Sequence, residues 1–431
     1  MKFDYGKTGI EIKLDPSWNI TILKPIKQLP IENPITEIKK LINHPIGCLP
    51  LKDIINKKSN LKTVCIVSSD ITRPVPSNLI LEALIEELIT YGIEDHQITI
   101  LIATGLHRPS NEEDLQRILG KKLQGRIRVI SHRANDKDSL IQVGIFNDGI
   151  PILINKNYYN ADLKILTGYV EPHFFFGFSG GRKSIVPGIA GAGTIQINHS
   201  AKNISSKFAR FGIYNNNPLH QHSIEISNLV GSDFIINVCI NEQHKIVQIA
   251  AGDLVKAHEK LVEYQLTHIF REIQERYDIV ICGNGGYPLD LNLYQAIKSM
   301  AIGEMAVKNG GTVIAVNECI EGIGVGQEKF KDLIFSAMKP SEIYQKILNK
   351  EIVVADQWEI QILARILIKA DIFIISALNS DHIGNIGLKY AKTVEEAVES
   401  CLKKYGTKSS ILILPNGPLV LPFLKRSNIN S

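Results

Sequence analysis

The chain has 431 residues, 44% hydrophobic and 21% charged, which is ordinary globular usage. Its length suits two or three domains with sizeable cores and requires neither a disulfide scaffold nor disorder. Basic residues number 48 against 44 acidic ones and are spread along the chain, which argues against nucleic-acid binding.

The first residues, MKFDYGKTGIEIKLD, lack the apolar run of a signal peptide, and no stretch of 18 apolar residues predicts a membrane span. The β-branched run Thr63–Ser68 predicts a buried strand. Ser77 reads as an N-cap before Leu81, Leu84, Ile85 and Leu88 at helical spacing, with Gly92 as the stop. Ile98–Thr104 predicts the next strand, and Ser110 with Glu113 a capping box opening a helix toward Leu119. Further strands are expected at Ile127–Ile130, Leu163–Thr167, Phe234–Ile240 and Ile246–Ala250. A second series follows: strand Asp278–Cys282, helix Leu293–Lys308, strands Gly311–Val316 and Asp371–Ala377, helix Glu395–Tyr405 and strand Ile411–Leu414. This alternation implies an α/β protein with mostly parallel sheets flanked by helices. The charged stretch Arg271–Tyr277 suggests domains at 1–272 and 273–431, with the last strand a candidate to return to the first.

The six cysteines, Cys48, Cys65, Cys239, Cys282, Cys319 and Cys401, form no CxxC pair, and a reduced, cytoplasmic protein is expected. Chemistry-bearing residues cluster just after predicted strands: Ser69–Pro74, Gly105–Pro109, Gly168–His173 and Gly283–Pro288. In open α/β sheets ligands bind at the carboxyl ends of strands, so the four loops suggest one site.

The segment Gly177–Ser184 nearly fits the phosphate loop GxxxxGK[ST], but Arg182 stands where the second glycine belongs. Pro187, Gly188, Gly191 and Gly193 also disfavour the helix that such a loop enters, so a nucleotide triphosphatase is rejected. Glycines such as Gly180 and Gly181 still let backbone N–H groups approach an anion, and Arg182 or Lys183 adds charge. Lys183 is also a candidate nucleophile. Among twelve histidines, His107, His173 and His199 stand out by context, as acid–base groups or a metal ligand that spacing alone does not assign. His220 and His222 form an HxH pair, a weak metal signal by itself.

Taken together, these motifs resemble the nickel-pincer-nucleotide-dependent lactate racemase family. The carrying residues are Ser69–Pro76, Ala103–Pro109, Ser131–Asp136, Glu171–Gly191, Tyr294–Lys298 and Gln357-Trp358, which span most of the chain. The resemblance implies two α/β domains with the active site in the cleft between them. It implies nickel held in a pyridinium-3-thioamide-5-thiocarboxylate mononucleotide joined to Lys183. His199 would complete the nickel coordination, and His107 and His173 would be the paired acid–base residues. Arg73, Gln295 and Lys298 would orient the substrate, with Tyr294 and Trp358 lining its pocket. Asp70 and Thr72 would support Arg73 and the cofactor, as would Gly180, Gly181 and Arg182. The partners implied are a small 2-hydroxy acid and the enzymes that build the cofactor and insert nickel, with no nucleic acid and no membrane.

This chemistry is self-consistent. The α-hydrogen of a carboxylate anion is hard to remove as a proton. Removing it as hydride while the hydroxyl proton leaves gives a planar 2-oxo acid that can be reduced on either face. Such a scheme needs two bases, carboxylate anchors and a hydride acceptor that no side chain provides. The alternatives are the same chemistry on another 2-hydroxy acid, a non-catalytic nucleotide-binding protein on this fold, or a zinc hydrolase, for which no HExxH occurs.

Overall fold

A computed structural model describes residues 1–146 and 149–425 and divides them into two compact units. Lys27–Thr267 forms a central unit, and Met1–Ile26 joins the segment from His268 onward in a terminal unit. The first 26 residues were expected in the N-terminal domain. They belong to the terminal unit because strand Asn19–Ile22 adds in parallel to Ser410–Leu414, with Ile20 opposite Ile411. The last expected strand, observed as Ser410–Leu414, pairs with Tyr277–Gly283 and Asn19–Ile22 within the terminal unit, and a further strand, Leu421–Leu424, pairs with Phe270–Ile273.

The central sheet has six strands in the order Ile246–Gly252, Phe234–Ile240, Leu163–Tyr169, Val64–Ser69, Ile98–Ala103 and Arg128–Ser131. All neighbours are parallel except the first pair. Val64–Val67 is buried throughout, as a parallel strand covered on both faces must be. Helix Ser77–Thr90 buries Leu81, Leu84, Ile85 and Leu88 in this core, although its cap position is Pro76 and Ser77 is already helical. The expected capping box lies one residue later. Asn111 Oδ1 accepts from the Asp114 N–H at 2.9 Å, and Asp114 Oδ2 accepts from the Asn111 N–H at 3.0 Å.

The terminal sheet is all parallel, in the order Leu388–Tyr390, Asp371–Ile375, Val307–Val316, Tyr277–Gly283, Ser410–Leu414 and Asn19–Ile22. Helix Leu293–Ala306 passes directly into strand Val307–Val316, so the strand starts four residues before the expected Gly311. Helix Gln357–Lys369 packs against Leu293–Ala306. Among the described residues no helix is long and apolar enough to cross a membrane.

Candidate active site

Three of the four expected loops leave the same edge of the central sheet. Parallel pairing of Ser69 with Ala103, and of Val67 with Leu166, brings the carboxyl ends of those strands together. The fourth loop, Gly283–Pro288, follows strand Tyr277–Gly283 in the terminal sheet, so the four do not share one sheet.

On the first two loops an acid meets a histidine. Asp70 is buried, and its Oδ2 accepts from His107 Nδ1–H at 2.7 Å. Its Oδ1 accepts from the Thr72 hydroxyl at 2.7 Å, and Thr72 Oγ1 in turn accepts from an Arg73 N–H at 3.3 Å. Burial alone would raise the Asp70 carboxyl. The His107 hydrogen bond, the His107 and Arg73 charges and Thr72 outweigh it and hold the group below the usual carboxylate range. A neutral His107 with its proton on Nδ1 presents a basic lone pair at Nε2. Asp70 and Thr72, expected to support Arg73 and the cofactor, thus link Arg73 to His107 through one chain of hydrogen bonds.

His173 sits in a two-residue hairpin, Pro172–His173 against Gly177–Phe178. Its Nδ1 accepts from the Phe176 N–H at 3.3 Å and the Phe175 N–H at 3.5 Å. That places the proton of the neutral ring on Nε2, the opposite tautomer to His107. The ring lies edge-on to Phe175 at 4.6 Å between centroids.

The glycine segment continues as a 3₁₀ turn over Gly181–Ser184 that packs onto the same sheet edge. The Gly181 N–H donates to Asn237 Oδ1 at 2.7 Å, and the Ser184 hydroxyl donates to Thr167 O at 3.3 Å. Gly180 has φ +77°, and a Cβ there would meet Asn237 Oδ1 at 2.7 Å and Tyr169 O at 2.9 Å. At Gly181 a Cβ would meet the His258 ring at 2.9 Å. Both glycines are therefore required by packing on protein, whatever else they touch. Arg182, expected to lend charge to a phosphate, is 1% exposed. Its guanidinium donates to Phe178 O at 2.9 Å, contacts His258 Nε2 at 2.8 Å and lies over the Phe176 ring at 5.4 Å. It braces the turn from inside and offers no charge at the surface.

Lys183 differs from its neighbours in being half-buried, with Nζ 4.5 Å from the centroid of Phe176. His199 is buried and lies against the same ring at 5.9 Å. Its Nδ1–H donates to Ile195 O at 3.2 Å, which fixes the orientation of the ring. Burial, then the Lys183 charge, pushes His199 down to about 3, so the ring is neutral as metal ligation requires. His220 and His222 show no metal arrangement: His220 packs on Tyr214, and His222 Nδ1 accepts from Asn198 at 3.1 Å. Among the described residues no three His, Cys, Asp or Glu side chains gather as a metal site.

The terminal unit groups the other expected residues. Tyr294, Gln295 and Lys298 lie on the first turns of helix Leu293–Ala306, capped by Asn292, whose side chain accepts from the Gln295 N–H at 3.0 Å. Lys298 Nζ donates to Gln295 Oε1 at 2.6 Å. Trp358, on helix Gln357–Lys369, hydrogen-bonds the Tyr294 hydroxyl. Burial and the nearby Glu359 and Asp356 carboxylates raise the Tyr294 phenol, so it is a neutral donor and acceptor. Phe330 packs edge-on against the Tyr294 ring at 5.4 Å.

Residues 5–212 match the lactate racemase N-terminal domain, and residues 273–421 match the lactate racemase C-terminal domain. The chain is 37% identical to the lactate racemase of Thermoanaerobacterium thermosaccharolyticum over 387 residues, 89% of each protein. The chain belongs to the lactate racemase family. To the lactate racemase of Lactiplantibacillus plantarum it is 37% identical over 383 residues, 88% of this chain and 89% of that one. The structure of the Thermoanaerobacterium lactate racemase apoprotein superimposes with a TM-score of 0.90 at 34% identity, over 98% of this chain and 99% of that one. A Thermotoga maritima protein shares the fold, with a TM-score of 0.66 at 19% identity, over 92% of this chain and all of that one.

Against this family background, the residues that sequence reasoning misses are those with no chemistry of their own to advertise. Asn237 anchors the glycine turn from the neighbouring strand, and His258 underlies it, 76 residues from Arg182. Position after a parallel strand was the signal available for Asp70, but its partner was not.

Proposed function

We propose that this chain is a lactate racemase, an isomerase that interconverts D- and L-lactate through pyruvate. The observation that carries the reading is Lys183 and the neutral His199 lying against one ring, Phe176, in a chain of this family. A nickel-pincer nucleotide brings carbon and sulfur donors of its own and needs one protein donor, and His199 fits that need. Lys183, half-buried beside it, fits the point of covalent attachment. When bound, such a cofactor supplies the hydride acceptor that side chains lack.

The remaining work falls to this chain's residues. His107 Nε2, basic because Asp70 holds its Nδ1–H, takes the lactate hydroxyl proton in one direction. His173, with its proton on Nε2, returns one to the 2-oxo oxygen for the other enantiomer, and the two exchange roles on reversal. Arg73 and Lys298 bind the carboxylate by charge, and Gln295 orients Lys298. Tyr294 and Trp358 line the pocket beside the short side chain of lactate. The protein works with the enzymes that build the cofactor and insert nickel, in the cytoplasm.

The test is intact mass and nickel content of protein made with and without those enzymes, for the natural chain and for Lys183→Ala. Added mass of nucleotide size, absent in Lys183→Ala and accompanied by racemisation of lactate, is the expected outcome. Lactate turnover by Lys183→Ala would sink the assignment. His199→Ala should lose more nickel than His107→Ala or His173→Ala, and equal loss in all three would remove His199 from the metal.

A further inference from the structure

The segment Ser131–Asp136, which follows strand Arg128–Ser131, takes no part in the chemistry above, yet its His132 is fully buried. Asn155 Nδ2 donates to His132 Nδ1 at 3.1 Å. The Asn155 amide is held in this orientation because its Oδ1 accepts from the Asn157 N–H at 3.0 Å. His132 Nδ1 is therefore an acceptor, and the proton of the neutral ring sits on Nε2, which donates to Ala190 O at 2.9 Å. Burial favours the same neutral form and lowers the ring to about 4.

The segment ties together two loops of the site. On one side is the turn of His107, whose N–H donates to Thr104 O at 2.9 Å. Thr104 Oγ1 donates to His132 O at 2.6 Å, and the Ser110 N–H donates to Ser131 Oγ at 3.2 Å, so the loop is gripped before and after His107. On the other side is the chain that follows Lys183. The Gly188 N–H donates to Lys183 O at 3.0 Å, and Gly188 O accepts from the Gly105 N–H at 2.9 Å. His132 holds Ala190 of the same chain segment, and Ala134 O accepts from the Ala192 N–H at 2.9 Å. Thr104, Gly105, Gly188, Ala190 and His132 thus close a circuit. His132 joins its two sides, through its carbonyl on one and its imidazole on the other. A buried network with its polar groups partnered is rigid.

We propose that His132 is a positioning residue: its carbonyl and its imidazole clasp the His107 turn to the Lys183 segment and so fix the base at a set distance from the point of cofactor attachment. The inference rests on the reading of His107 as the base for one enantiomer and of Lys183 as the attachment point. His173 stands outside the circuit, on the hairpin of Pro172–His173 against Gly177–Phe178. Releasing the clasp therefore shifts His107 relative to the reacting carbon and leaves His173 where it is. A misplacement of about 1 Å can cost about 10²-fold in rate. The loss should fall on the enantiomer whose hydroxyl proton His107 takes, whereas a general loss of packing would slow both enantiomers alike.

The test is a rapid-quench assay of bound 2-oxo acid, started from each enantiomer of lactate. It uses cofactor-loaded His132→Leu, His132→Gln and Thr104→Val, with His107→Ala as the reference. His132→Leu removes the bond to Ala190, and Thr104→Val keeps the side-chain shape while removing the bond to His132 O. Both should slow 2-oxo acid formation by about 10-fold to 10²-fold from the enantiomer on which His107→Ala fails, and by less than about twofold from the other. Glutamine can place an amide N–H where Nε2–H stands, so His132→Gln should return both rates to within about threefold of the natural chain. Thr104→Val leaves the buried imidazole in place, so equal slowing from both enantiomers in that variant, or none, overturns the proposal even where His132→Leu does not fold. His132→Gln as impaired as a folded His132→Leu overturns it too. If His107→Ala itself shows no preference between enantiomers, the assignment of His107 falls and the role of His132 with it. A preference in His107→Ala that Thr104→Val does not share overturns the clasp alone.

Discussion

The 2.7 Å bond from His107 Nδ1–H to Asp70 decides which ring nitrogen is basic, and it joins residues 37 apart in sequence. Because Asp70 is buried and its carboxyl is held low, it stays ionised throughout the neutral range. Asp70→Asn keeps the volume and removes the charge that stabilises the imidazolium formed during proton transfer. It should lower kcat for lactate by about 10²-fold in both directions, the scale of a general acid–base contribution. Cofactor load, read by intact mass, should be unchanged, and natural kcat in this variant would remove Asp70 from the mechanism. The opposite tautomers of His107 and His173 support a second expectation. In rapid-quench assays His107→Ala and His173→Ala should retain bound 2-oxo acid from opposite enantiomers. The same preference in both would show that the two rings do not serve opposite faces.

At the scale of elements, the 3₁₀ turn Gly181–Ser184 is where local chain and neighbouring strand must agree. Gly180 combines a positive φ with a Cβ position already filled by Asn237, Val170 and Tyr169 O. Gly180→Ala should therefore destabilise the protein by about 1–3 kcal/mol in denaturant unfolding and reduce the added mass on Lys183. Gly193 is the control: it lies on helix Ala192–Asn198, and a Cβ there meets nothing within 4 Å. Gly193→Ala should be neutral or stabilising by up to about 1 kcal/mol. Equal effects at the two positions would mean that the turn is not the constraint. The same contrast explains what the sequence makes legible. Continuous β-branched runs such as Val64–Val67 identify buried strands without a partner in view, and the loops after them identify the sheet edge. Arg182 beside a lysine in a glycine segment reads as a phosphate ligand, because only the packing of Phe178 and His258 around it reveals an interior brace. Helix Gln357–Lys369 escapes notice because its apolar residues run nearly all round, from buried Ile360, Ile362, Leu363 and Ile366 to exposed Ile368, and the side chain of Asp356 at its N-cap does not cap the helix.

At the scale of the whole molecule, the two units carry buried ionisable groups of opposite sign. In Lys27–Thr267, burial lowers His132 to about 4, His199 to about 3 and His220 to about 2, with His199 also under the Lys183 charge and His220 under that of Arg182. A histidine ordinarily titrates near 6.5, so between that pH and the lowered values the unfolded chain binds more protons than the folded one. Stability of this unit must then rise with pH, each such histidine contributing about 1.4 kcal/mol per pH unit. In the terminal unit Glu359 is raised from 4.5 to about 8, chiefly by burial. Over that interval the folded state binds the extra proton, so its contribution is full at low pH and is lost as pH rises. Carboxylates held low, such as Asp70 and Asp278, act only near and below about pH 3.9, beneath this window. Hydrogen exchange between about pH 4.5 and about pH 6.5, corrected for the intrinsic rate, should show the two slopes directly. Protection of Val64–Ser69 and Leu163–Tyr169 should increase with pH, while that of Tyr277–Gly283 and Ser410–Leu414 should decrease by the equivalent of about one proton. His132→Gln should flatten the first slope by about one proton and leave the second alone, and Glu359→Gln should do the reverse. A single common slope, indifferent to both substitutions, would mean that these buried groups do not govern the stability of their units.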